Sequence, residues 1–247
     1  MRRKLKRAIA LIMALSMMVL PVSAAEVTTD PVEAAEVTAE TLVEDVIQAD
    51  AEATIELPYV DVNENDWFFV ETAVMYETGL MTGLDSTHFG PYDSLARAQF
   101  AMIIWRICDE PDVPYFDIFP DVPDGTWYTK AVLFSYALGV INGYSNTGCF
   151  GPNDKINREQ MATMMYRLAE SVDWDVSAKE DLSGFVDGNQ VNGFAQEAMS
   201  WAVAREIITG KDNGVRLDPQ GNASRAEAAV ILTRFFLSYA DEIDQNE

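Results

Sequence analysis

The sequence predicts an all-α protein in which three helix-loop-helix units close into one pseudo-threefold body. One observation is a short Arg-bearing stretch, Ile156-Asn157-Arg158-Glu159-Gln160, that opens the apolar helical run Met161, Ala162, Met164, Met165, Leu168. It has two counterparts, Leu95-Ala96-Arg97-Ala98-Gln99 and Ala223-Ser224-Arg225-Ala226-Glu227. Each Arg stands eight residues after an apolar side chain (Phe89, Phe150, Leu217) and six after a proline (Pro91, Pro152, Pro219), which identifies a repeat. A second observation lies upstream, where Trp67 to Gly79 and Trp127 to Gly139 both span 12 residues and set an earlier helix of each unit in register. The third is the period, roughly 60 residues, longer than the common solenoid repeats of about 33 to 50. Two short amphipathic helices per unit cannot bury their apolar faces alone, so a closed body with one shared core is expected.

The elements follow in chain order. Residues 1–24 read as a secretory signal peptide: a basic start (Arg2, Arg3, Lys4, Lys6, Arg7), an apolar stretch Ala8 to Leu20, and the small-residue cleavage signal Val22-Ser23-Ala24. The apolar stretch is shorter than the ~20 residues of a spanning helix. Residues 25–57 form an acidic linker in which Leu42, Val43, Val46 and Ile47 share one face of a short helix. Repeat one, 58–115, has a first helix from Asp66 with Trp67, Phe68, Val70, Val74 and Met75, a Gly-rich loop, and a second helix over 97–107. Pro111 and Pro114 end it. Repeat two and its linker, 116–184, place the first helix over Trp127 to Leu138 and start the second with Asn157 and Gln160 spaced as a capping box. A further turn is expected around Ser177 to Leu182. Repeat three, 185–236, carries Phe194 in place of the Trp and Glu206 in place of the first Gly, and Ser224 with Glu227 makes the best capping box of the three. Residues 237–247 read as an acidic tail.

With 40 acidic and 17 basic residues the formal charge is -23, and removal of residues 1–24 leaves 12 basic against 40 acidic, about -28. Such a field repels nucleic acid and anionic membrane, and no membrane contact is expected once the signal is cleaved. It does not exclude a small anionic group at a local positive spot. Cys108 and Cys149 allow one bridge or two separate thiols. His88, the only histidine, reads as a turn residue. No calcium loop, zinc motif, nucleophile elbow or phosphate loop is present, so no catalytic residue, metal or cofactor is assigned and no enzyme is expected.

The order Phe-x-Asp-Val, Trp-Tyr, Gly-x-x-x-Gly, Phe-Gly-Pro, then an Arg-bearing helix start resembles the S-layer homology family. Repeat two carries it most fully, through Phe119, Asp121, Val122, Trp127, Tyr128, Gly139, Gly143, Phe150, Pro152, Ile156, Arg158 and Glu159. The resemblance covers residues 59–236. It implies a three-pronged spindle, with the first helix of each unit in a central bundle and the second, Arg-bearing helix in a prong. It also implies grooves that bind secondary cell-wall polymer or another peptidoglycan-linked glycan, often pyruvylated, and so hold a secreted protein on the cell wall or S-layer. Carried over residue by residue, the polymer-binding positions would be Asp61, Asp121 and Asp187, Trp67 and Trp127, Gly83, Gly143 and Gly210, and Arg97, Arg158 and Arg225.

Elementary chemistry agrees with a carboxylate-bearing sugar as ligand. An Arg at the first position of a helix sits near the positive end of the dipole, and its planar fork matches a carboxylate. A Trp face suits a sugar ring. The plainer alternatives are an Arg that pairs with an acid of its own repeat and a Trp half in the core. The third groove is expected to be the weakened one, and the middle repeat, with Arg158, Asp121, Trp127 and Gly143 intact, the first place for a ligand. The wider alternative in function is a surface structural or adaptor protein with protein cargo and weak or absent glycan binding.

Overall fold

The computed structural model describes residues 56–240; the signal peptide, nearly all of the acidic linker with its expected helix, and residues 241–247 lie outside that range. Among the described residues six α-helices run in order: α1 Phe69–Glu77, α2 Arg97–Ile107, α3 Thr129–Ala137, α4 Arg158–Ser171, α5 Gln196–Ala204 and α6 Arg225–Leu237. Short 3₁₀ turns at Leu182–Gly184, Gly188–Gln190 and Gly193–Ala195 precede α5. Among the described residues the only β-type pairings are isolated bridges, three of which join the starts of α2, α4 and α6 to one another's repeats. The all-α expectation and the helix spans agree with the structure within two residues for the first two units.

The capping chemistry follows the sequence. Asn157 Oδ1 accepts from the Gln160 amide at 2.9 Å and Ser224 Oγ accepts from Glu227 at 3.2 Å. Ala96 offers no side-chain cap, yet Gln99 Oε1 still accepts from the Ala96 amide at 2.8 Å. What the capping reading leaves open is where the first amides of each helix go. They donate to the loop of the next repeat: Arg97 N to Asp154 O, Arg158 N to Gly221 O, Arg225 N to Asp93 O, at 2.9 to 3.0 Å. Just before the helices, Leu95 N donates to Ala223 O, Ala223 N to Ile156 O, and Ile156 N to Leu95 O, all at 2.9 to 3.0 Å. These three bonds form a closed ring on the pseudo-threefold axis.

Helix packing is cyclic too. α2 packs on α3, α4 on α5, and α6 returns to α1. Each principal helix pair thus joins two repeats, and no repeat buries its own two helices against each other as its main contact. The second helices are not confined to outlying prongs, because their starts meet on the axis. One continuous core results, in which Phe89, Phe150 and Leu217, the residues eight before each Arg, are fully buried. The connection after α4 is tied down by Trp174, which stacks on Tyr239 with ring centres 4.4 Å apart. Tyr239 is itself fully buried and donates to Asp175 O at 2.7 Å. The third unit therefore runs past residue 236, and the acidic tail begins later than its composition suggests.

The first helix of each unit ends on one left-handed residue: Gly79 (φ 68°), Gly139 (φ 79°) and Glu206 (φ 56°). A glycine takes this conformation without cost, whereas an L side chain is strained there. Glu206→Gly is expected to stabilise the protein by about 0.5 to 1 kcal/mol, read as a rise of a few degrees in thermal midpoint; an unchanged or lower midpoint would contradict it.

Candidate functional site: three grooves built across repeats

The three helix-start arginines are buried, with 3 to 4% of their surface exposed. Arg97 Nε donates to Phe150 O at 2.9 Å, Arg158 Nε to Leu217 O at 2.7 Å, and Arg225 Nε to Phe89 O at 2.7 Å. Arg97 Nη2 adds Asn142 O, and Arg225 Nη2 adds Thr82 O at 2.5 Å. Each guanidinium so grips the turn of the following repeat. Arg97 and Arg225 also lie over the rings of Phe150 and Phe89, at 4.8 and 4.7 Å; Leu217 offers Arg158 no ring. Burial lowers the pKa of all three from its ordinary value. Pairing with an acid of the same repeat, the plainer expectation, is not how they are held, and the amides beside them are already bonded to carbonyls.

The motif aspartates have a different task. Asp61 accepts from Phe89 N and Gly90 N, both at 2.8 Å; Asp121 accepts from Phe150 N and Gly151 N; Asp187 accepts from Leu217 N and Asp218 N. Both oxygens of each carboxylate thus fix the loop whose next carbonyl the neighbour's Arg grips. None of the three aspartates lines a groove. The turn glycines allow close packing: a Cβ on Gly83 would meet Tyr59 Cε1 at 2.5 Å, and one on Gly143 would meet Phe119 Cε1 at 2.7 Å. Gly210 reaches the same place with φ 83°.

Three clefts result, each assembled from all three repeats. The first, about 260 Å³, has the turn Leu80 to Leu84 and α2 as walls, with Arg225 from repeat three and Trp127 from repeat two. The middle one, about 500 Å³, takes its turn from Asn142 to Ser145 and its wall from α4, with Arg97 from repeat one and Phe194 from repeat three. The third, about 220 Å³, joins Ile208 to Lys211 and α6 to Arg158 and Trp67. The expected grouping of Arg158 with Trp127 and Gly143 therefore does not exist as a site: these residues stand in three different grooves. The Trp missing from repeat three is missing from the middle groove. Trp67, Trp127 and Phe194 are 58 to 60% exposed, so the aromatics are open faces and not half-buried core.

A second arginine in each groove escapes the motif reading. Arg106, Arg167 and Arg234 each line the groove of their own repeat. Each follows the helix-start Arg by nine residues, about half a turn round the helix at ~100° per residue. One helix so serves two grooves, its first Arg the next one and its later Arg its own. The constant spacing was a sequence signal for them. Arg106 Nη1 donates to Leu80 O at 3.1 Å and Arg234 Nη1 to Thr209 Oγ1 at 2.9 Å, which aims both along the turn. In the third groove Lys211 pairs with Glu227 at 2.9 Å and Asp218 at 3.1 Å. Burial would raise both carboxyls, yet hydrogen bonds from Lys211 and, for Glu227, from Ser224 N leave them below their ordinary values. Seven of the 12 basic residues beyond residue 7 line these three grooves in a chain with 40 acids.

Elsewhere, Cys108 and Cys149 are separate free thiols, and His88 sits in an exposed turn beside Asp85 at 3.1 Å. Among the described residues no three His, Cys, Asp or Glu side chains gather as a metal ion requires.

Comparison with known proteins bears on the family. The sequence profile of the S-layer homology domain matches residues 118–162 and 184–229, within the second and third repeats. The chain carries S-layer homology repeats. The first repeat, outside that match, keeps the same Asp61 loop clamp and receives Arg225 as its siblings receive theirs. The S-layer homology chain is 31% identical over 180 residues to an endoglucanase of Bacillus sp. strain KSM-635, an alignment covering 71% of this chain and 18% of that protein. It is 30% identical over 172 residues to an amylopullulanase of Thermoanaerobacterium thermosulfurigenes, covering 70% and 9%. It is 30% identical over 180 residues to the S-layer protein sap of Bacillus anthracis, covering 71% and 21%. The chain thus spans less than a fifth of the two enzymes, whose activities are named for proteins far longer than the shared segment. The family and its S-layer relatives place the protein at the cell wall or S-layer. Among the described residues no helix is long and apolar enough to cross a membrane.

Arg225→Ala is expected to destabilise the fold by about 2 to 4 kcal/mol, because it orphans Phe89 O and Thr82 O and removes a charge-assisted clamp. Chemical denaturation measures this, and a loss below about 0.5 kcal/mol would show that the clamp is dispensable.

Proposed function

We propose that this chain anchors itself, and any protein joined to it, at the bacterial cell surface by binding an acidic secondary cell-wall glycan in the grooves between repeats. The observation that carries the reading is the composition of each groove. Two guanidinium-bearing side chains from different repeats converge with an open aromatic face, on a molecule otherwise strongly acidic. An aromatic ring covers the apolar face of a sugar, and the outer guanidinium nitrogens receive a carboxylate in low-dielectric surroundings. A pyruvate ketal on the sugar, with its planar carboxylate, is the ligand group that this chemistry suits best. Enzymes and S-layer proteins sharing the same segment are what an anchoring module attached to different cargo would produce.

The full chain is expected to cosediment with purified sacculi, to be released as salt rises past the range where surface charge is screened, and to lose binding once the secondary polymer is stripped chemically. Absence of binding to intact walls would sink the proposal. Trp127→Ala is expected to weaken sacculus binding about tenfold with the thermal midpoint held within a degree or two, since the ring is exposed; unchanged binding would remove Trp127 from the site.

A further inference from the structure

The three grooves differ in one buried group. The second residue of each second helix is Ala98 in repeat one and Ala226 in repeat three, and Glu159 in repeat two. Glu159 is 1% exposed and lines the middle groove. Its Oε2 accepts from Asn192 N at 3.0 Å and Gln220 Nε2 at 3.1 Å, and its Oε1 accepts from Asn192 Nδ2 at 2.6 Å. All three donors are neutral amides, and no ion pair to Glu159 is formed among the described residues. The carboxylate thus shares the cleft with Arg97 and Arg167 while bonded to neither.

The first groove has no counterpart of this carboxylate in its lining. No acidic residue lines it, although Arg106 Nε stands 4.0 Å from Glu110 just past the end of α2, and Arg106 and Arg225 face walls of Leu80, Met81, Met102 and Ile103. Two cations against apolar walls make a strong carboxylate site, because little water screens them. The middle groove has about twice the volume, one negative charge set against its two positive ones, and a lining rich in amides and hydroxyls, among them Asn142, Asn157, Gln160 and Thr163. Those groups, donors and acceptors both, suit sugar hydroxyls. In the third groove Glu227 and Asp218 engage Lys211 directly, so the acid there is neutralised by its own partner.

We propose that the middle groove excludes the anionic group and holds an uncharged, hydroxyl-bearing segment of the glycan, with Glu159 as the residue that sets this difference. This rests on the anionic-glycan reading above. Asn192 also lies two residues before Phe194, so the same carboxylate fixes the chain that presents the groove's aromatic ring.

The amides of Gly83, Gly143 and Gly210, one per groove, are separate reporters in a nitrogen-15 correlation spectrum of the full chain titrated with sodium pyruvate. In the natural protein Gly83 is expected to saturate, with Gly143 responding only at about tenfold higher concentration or more, as one unpaired charge in a cleft predicts. Glu159→Ala, which installs the side chain of the other two repeats, and Glu159→Gln, which keeps the volume, should bring Gly143 to within about threefold of Gly83. Wall-polymer fragments freed of acidic substituents should shift Gly143 and leave Gly83 in place. Equal saturation of Gly83 and Gly143 in the natural protein would overturn the inference and leave the anionic-glycan reading standing. So would a Gly143 amide that ignores pyruvate in both variants while Gly83 saturates, because a purely structural Glu159 gives that result. Failure of pyruvate to move Gly83 at any concentration would overturn both.

Discussion

Every second helix in this chain begins against a loop that belongs to another repeat, and its first amides have no other partners. Four unsatisfied amides at a helix start must bond to something; here the next repeat's carbonyls take two of them, the Gln or Glu three residues on takes the amide before the helix, and in α4 and α6 the cap side chain takes the fourth. The buried Arg beside them adds a charged grip on the same loop, and that loop is stiff because the motif Asp holds it from behind. Asp, loop, Arg and helix amides form one chain of dependence that runs three times round the axis. The grooves are the space this arrangement leaves open.

Because the clamp passes from one repeat to the next, a groove inherits its parts from three places in the sequence. A motif read within one repeat groups residues that fold apart: Arg158, Trp127 and Gly143 are neighbours in pattern and strangers in space. The helices, the caps and the three-unit count were legible from spacing, since each is local and the periodicity repeats faithfully. The partner of each Arg was not, because a backbone carbonyl leaves no mark on composition. The second arginines were legible in principle from their constant spacing of nine, and the buried charge of Glu159 was visible only as a departure from Ala in its siblings.

The repeats have diverged unequally. Repeat three carries a strained Glu206 and lacks an aromatic at residue 217, while repeat two has gained Glu159. Since each groove draws on all three units, a change in one unit is felt in a neighbour's groove. Phe194 alters the middle cleft, and Leu217 alters how Arg158 of the third is seated. Divergence among repeats therefore yields three clefts that differ in volume and charge without disturbing the shared frame.

The return of α6 to the first repeat sets the order in which this chain can become a protein. Arg225 meets Phe89 across 136 residues and Thr82 across 143, so the first unit waits for the last before its turn is gripped. Contacts so distant in sequence carry a loop-closure cost that must be met before they contribute. Folding by simple addition of finished repeats, the habit of open solenoids, is unavailable to a ring. Without α6 the first groove lacks Arg225 and the ring has no closing clamp.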